Sequence, residues 1–170
     1  YMFYEKGFKG VCIEPDPAVY AVLKKKRPND TCLNIGIASK ASSEADFYVM
    51  NHPGLNTFSK EEAETLVNNG QGKIMQVIKV PLITVEEVID KHFNGKAPVF
   101  VNIDVEGLDE EILRSFPFHK YKPSIFCIET VEYTDDASSE KRQGIFDIMK
   151  QNGYKPFADT YINTIFISNI

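Results

Sequence analysis

Val99-Phe100-Val101-Asn102-Ile103-Asp104-Val105-Glu106-Gly107 is an apolar, β-rich run that ends on an acid and a glycine. Leu108, Ile112, Leu113 and Phe116 follow at helical spacing, with Asp109, Glu110 and Glu111 in the first turn, where the helix dipole favours negative charge. A strand feeding a helix through a tight turn is half of a βαβ unit. Working outward, Ser124-Ile125-Phe126-Cys127-Ile128-Glu129 is a second strand ending in an acid, and a helix is predicted over 139–152 with Gly153 as its stop. Tyr154–Phe157 and Thr164–Ile167 read as two strands closing on each other, which predicts an antiparallel pair near the C-terminus.

Upstream, Gly10-Val11-Cys12-Ile13-Glu14 is another short apolar run ending in an acid. Asp16-Pro17 supplies an N-cap and a proline at the first helical position, and Pro28 stops that helix. Thr31–Ile35 and Ala45–Met50 read as strands. Ser59 with Glu62 and Thr84 with Glu87 form capping boxes, and Gly70 fits the end of the first of those helices. Val77–Leu82 reads as extended, and Pro81 argues for an edge position. This alternation predicts an α/β fold with a mostly parallel sheet, in one domain over 1–170.

Composition narrows the function. The formal charge of −5 offers no basic field for nucleic acid or anionic lipid, and Lys24-Lys25-Lys26-Arg27 falls at a helix end, where cations complement the dipole. No apolar run reaches the length of a membrane span. Cys12, Cys32 and Cys127 are odd in number and lie in strand-like runs, which reads as reduced, buried thiols in a cytoplasmic protein. His52, His92 and His119 do not cluster, so no metal is assigned to them, although converging acids could hold Mg²⁺ or Ca²⁺.

Three strands therefore end in acids: Glu14, Asp104 with Glu106 beyond it, and Glu129. In an open α/β sheet, ligands bind outside the carboxyl ends of the strands, so these acids are expected along one crevice. Glu14 could accept from ribose hydroxyls or stand as a solvated acid. Asp104 could line a ligand or cap the helix after it, with Gly107 permitting the turn. Glu129 could touch a ligand or be satisfied by neighbouring amides. The pattern does not separate the adenosine of S-adenosylmethionine from that of NAD.

The segment Gly7-Phe8-Lys9-Gly10-Val11-Cys12-Ile13-Glu14-Pro15-Asp16-Pro17 resembles the second-strand signature of FkbM-type methyltransferases. Val101–Gly107 with Glu111-Ile112-Leu113 is similar to their fourth-strand motif. Asn56-Thr57-Phe58-Ser59 and Val80–Val85 resemble the region between, and Ser124–Glu129 the fifth strand. The resemblance implies a Rossmann-like methyltransferase sheet with an antiparallel C-terminal strand and S-adenosylmethionine as cofactor. It implies that Glu14 holds the ribose, that Asp16 lies near the adenosine, that a turn at Gly36-Ile37 flanks the adenine, and that Asp104 lines the methionine end. It also implies O-methylation of a small metabolite or sugar. Asp104 and Glu106 are the candidate catalytic bases.

The family's first strand and glycine-rich turn have no counterpart here, because the chain opens on Tyr1-Met2-Phe3-Tyr4, which reads as the end of the following helix. Weak cofactor binding, or none, by residues 1–170 is the expectation that follows. Two rival readings remain at this point. One is a nicotinamide-dependent oxidoreductase. The other is a non-catalytic interaction domain whose open central strand edge would suit homodimer formation.

Overall fold

A computed structural model describes residues 2–40, 42–105, 107–133 and 139–169. The chain divides into two compact units, Tyr1–Thr84 and Val85–Ile170.

In the first unit, helix α1 (Met2–Glu5) leads to strand β1 (Val11–Ile13), helix α2 (Pro17–Lys26) and strand β2 (Thr31–Leu33). β1 and β2 pair in parallel, with Ile13 opposite Leu33. α2 begins as Asp16-Pro17 predicts: the Asp16 carboxylate accepts from Ala18 and Val19 N–H, and proline takes the first helical position. Asp30 ties the return of the chain, accepting from Gly10 N–H at 2.8 Å and Arg27 Nε at 2.6 Å.

Strand β3 (Gly36–Ile37), the nine-residue β4 (Ser42–Met50) and the ten-residue β5 (Ile74–Ile83) form a second sheet in the order β3-β5-β4. β5 is thus central, not an edge. Pro81 is tolerated because it stands opposite Glu44 at a register shift, where the ladder is already interrupted, and because β3 pairs only with Leu82 and Ile83. Gly36-Ile37 forms strand instead of the expected turn. A side chain at Gly36 would put its Cβ 2.5 Å from Phe58 Cζ and 2.6 Å from Leu82 Cδ2, so only glycine lets these groups close over the strand. Tyr48, Met50 and Ala63 make the local core with Leu55, Leu66 and Ile74. Ala63 and Leu66 come from helix α3 (Lys60–Asn68), which Gly70 terminates with φ +70. Its capping box is only half made. Ser59 accepts from Glu62 N–H, but the Glu62 carboxylate is taken by the Thr57 hydroxyl at 2.6 Å.

In the second unit, helix α4 (Val85–His92) precedes strand β6 (Phe100–Ile103), helix α5 (Asp109–Ser115), strands β7 (Ile125–Glu129), β8 (Val131–Tyr133) and β9 (Ser139–Lys141), helix α6 (Gln143–Gln151), and strands β10 (Tyr154–Asp159) and β11 (Asn163–Ser168). The main sheet runs β10-β11-β7-β6. β6 and β7 are parallel, while β11 is antiparallel to both β7 and β10, so the C-terminal antiparallel pair stands as expected. α6 starts later than the predicted helix, because Ser139–Lys141 pairs with Val131–Tyr133 as strand.

Phe126 and Ile128 alternate into the core from β7, opposite Phe166 and Thr164 of β11. Ile112 and Leu113 of α5 and Ile145, Ile148 and Met149 of α6 are also buried. Full burial of one such side chain contributes roughly 1.5–3 kcal/mol. Phe116, Phe118, Phe126 and Tyr154 pack as a chain of rings with centroids 4.6 to 5.9 Å apart.

The result is a mixed α/β fold. Among the described residues, parallel and antiparallel pairings occur in both units, where a mostly parallel sheet was expected. The long β4–β5 pair accounts for most of that difference in the first unit.

Candidate functional site

Glu14 directly follows β1, and the parallel register of Ile13 with Leu33 puts Asn34 beside it at the carboxyl end of β2. The Asn34 amide donates to the carbonyls of both Glu14 (2.8 Å) and Pro15 (2.9 Å). One Glu14 oxygen, Oε1, accepts from Asp16 N–H at 2.9 Å. Its other oxygen has no partner among the described residues. The side chain is half-buried, and burial pushes its carboxyl above the usual glutamate range. The Asp16 N–H works against that shift, and the Asp16 charge adds to it.

Asp16 itself is buried and fully engaged. Oδ1 caps α2, and Oδ2 accepts from Asn56 Nδ2 at 2.8 Å. Asn56 is buried as well, and its Oδ1 accepts from Met50 N–H at 2.7 Å. Asp16 therefore shapes the site from behind the turn. Gly36 is covered by Phe58 and Leu82, and Ile37 is half-buried.

In the second unit, Ile103 stands opposite Ile128, which sets Asp104 next to Glu129 at the carboxyl ends of adjacent parallel strands. This much of the expected row of acids is present. Glu129 is pushed above the usual carboxylate range, first by burial and then by the charges of Asp104 and Asp109. Arg142 opposes the shift, and a hydrogen bond with Asp104 adds to it. Glu106 lies outside the described residues.

Asp104 does not cap α5. Leu108 holds the cap position without a side-chain bond, and Gly107 makes the turn with φ +92. The turn is secured from the other direction by Asp109, which is fully buried and accepts from Val105 N–H at 3.2 Å. Its second oxygen, Oδ2, lies 3.7 Å from Arg142 Nη1. That oxygen and Arg142 Nε are buried without hydrogen-bond partners among the described residues. Burial raises the Asp109 carboxyl, while the Val105 N–H and Arg142 lower it. Beside this pair, Gly107, Glu110, Arg142, Gln143 and Gly144 line a shallow cavity of about 360 Å³.

No three His, Cys, Asp or Glu among the described residues are placed to hold a metal ion, and no described helix is long and apolar enough to cross a membrane. Asn34, Asn56, Asp109 and Arg142 were not singled out as site residues from sequence. Asn34 reads as a strand residue and Asn56 as part of a connecting motif. Only the strand-end position of Asn34, next to an acid on the neighbouring strand, could have marked it.

No curated protein and no solved structure matches the chain. The methyltransferase FkbM domain matches residues 1–156, which is most of its 170 residues. The two motifs that chiefly carried the resemblance in sequence, residues 7–17 and 101–107, both lie within the matched residues. With the match spanning both units, the chain belongs to the FkbM methyltransferase domain family.

Proposed function

We propose that this chain transfers the methyl group of S-adenosylmethionine to an oxygen of a small metabolite or sugar. One observation carries the reading: the half-buried Glu14 carboxylate, with one oxygen pinned by Asp16 N–H and the other without a partner among the described residues. Vicinal ribose hydroxyls are donors that a carboxylate can meet with both oxygens, and partial burial strengthens such bonds. The residues present therefore fit the nucleoside of the cofactor. Asp16 would support that contact through its backbone N–H, and Gly36 and Ile37 would flank the adenine through the backbone of β3. The order β10-β11-β7-β6, with β11 antiparallel, supports the reading of a Rossmann-like methyltransferase sheet.

When bound, the cofactor supplies an already activated methyl group, so these residues chiefly bind and orient. Asp104 is proposed at the methionine end. An acceptor hydroxyl must lose its proton, and Asp104, exposed at the end of β6 beside Glu129, is the proposed base that takes it. Glu106 is proposed as the alternative base. Three free thiols suit a reducing, cytoplasmic setting.

A calorimetric titration of the complete gene product with S-adenosylhomocysteine, and separately with NADH, tests the reading. Saturable binding of the former and none of the latter is expected. NADH binding that S-adenosylhomocysteine does not compete away would replace methyl transfer with hydride transfer.

A further inference from the structure

Only Glu14, Pro15 and Asp16 lie between the end of β1 and the start of α2. So short a turn fixes its acid only if the surrounding groups hold its backbone. Two asparagines do so from positions far along the chain. Asn34, 20 residues on from Glu14, has an amide nitrogen with two protons, and both are used on consecutive carbonyls of the turn, those of Glu14 and Pro15. One planar group bonded to two successive carbonyls fixes the orientation of both peptide planes. Asn56, 40 residues on from Asp16, donates to Asp16 Oδ2 and accepts from Met50 N–H, anchoring the cap to β4. Asp16 N–H is then aimed at Glu14 Oε1. The last group in this sequence of bonds is the open oxygen of Glu14.

The geometry points to Asn34 and Asn56 as positioning residues for cofactor binding, acting through Glu14. This rests on the reading of Glu14 as the nucleoside-binding carboxylate. Preorganisation is the physical content. A carboxylate held in place loses little freedom when ligand hydroxyls arrive, whereas one on a slack turn must be ordered at that moment.

A double-mutant cycle on the complete gene product tests it, with the dissociation constant of S-adenosylhomocysteine as readout and urea denaturation run alongside. Asn34→Ala is expected to weaken binding about tenfold in the wild-type background, but less than about twofold in the Glu14→Gln background, because the two residues act as one unit. A full tenfold loss in both backgrounds would show that Asn34 acts on general stability, and would overturn the proposal. So would unchanged affinity in Asn34→Ala. Should that variant not fold, Asn56→Ser closes the same cycle with the same expected pattern. Wild-type affinity in Glu14→Gln alone is a separate failure. It removes the nucleoside role of Glu14, and this inference with it, before any asparagine is changed.

Discussion

Asp109→Ala is expected to lower the stability of the second unit by about 3 kcal/mol, while Asp109→Asn changes it by less than about 1 kcal/mol. The alanine removes the acceptor of Val105 N–H and opens a void at a fully buried position. The asparagine keeps the acceptor and the shape and discards only the charge. That charge is poorly served in the native state. Oδ2 has no hydrogen bond among the described residues, and Arg142 Nη1 is 3.7 Å away. Desolvation already favours the neutral carboxyl, which asparagine imitates.

The sign with pH follows. The folded state holds the Asp109 proton more tightly than the unfolded chain, so this group favours folding most at low pH. The advantage declines as pH rises above the ordinary aspartate value of 3.8 and through the raised native one. The urea midpoint of the wild type, relative to Asp109→Asn, should therefore fall with rising pH across that window. Equal losses in the alanine and asparagine variants would show that the ion pair, and not the Val105 bond, holds the turn.

Asp16→Ala is expected to cost about 3 kcal/mol in the first unit. About 1 kcal/mol comes from the lost cap of α2, and the rest from leaving the buried Asn56 amide without an acceptor. Asp16→Asn should fall between. It can still cap the helix, but it turns an NH₂ group toward the NH₂ of Asn56, whose own oxygen is committed to Met50 N–H. The exchange Asp16→Asn with Asn56→Asp restores a donor facing an acceptor, and leaves Met50 N–H its acceptor. It should recover most of the loss seen in Asp16→Asn. Urea denaturation of the three variants checks this, and a double variant no more stable than Asp16→Asn would mean that the bond between these side chains contributes little.

These two positions show what could be read in advance. Asp16-Pro17 was legible because a cap followed by proline is a local device, decided by groups within three residues of each other. The glycine turn at Gly107 and the stops at Gly70 and Gly153 were legible for the same reason. The parallel pairing of β6 with β7, and hence the meeting of Asp104 with Glu129, followed from strand-helix alternation. The partner of Asp16 was not legible. Nothing local distinguishes Asn56 from any other loop asparagine, since its role exists only once β4 returns it to the turn after β1. Asp109 was read as a charge favoured by the helix dipole, and its full burial depends on the packing of α5 against α6. The central position of β5 was missed because Pro81 carries a true local penalty, which a register shift in the neighbouring strand removes. Ser139–Lys141 was absorbed into the following helix because only its pairing with Val131–Tyr133 makes it strand.

The functional reading depends on the Glu14 carboxylate receiving the ribose of a nucleoside-bearing ligand. An amide NMR titration of the complete gene product with S-adenosylhomocysteine tests this most directly. The Asp16 amide, bonded to the Glu14 carboxylate, reports on that acid. The account predicts that its signal moves and saturates as the ligand is added. A ligand that binds while leaving the Asp16 amide unmoved would contradict it.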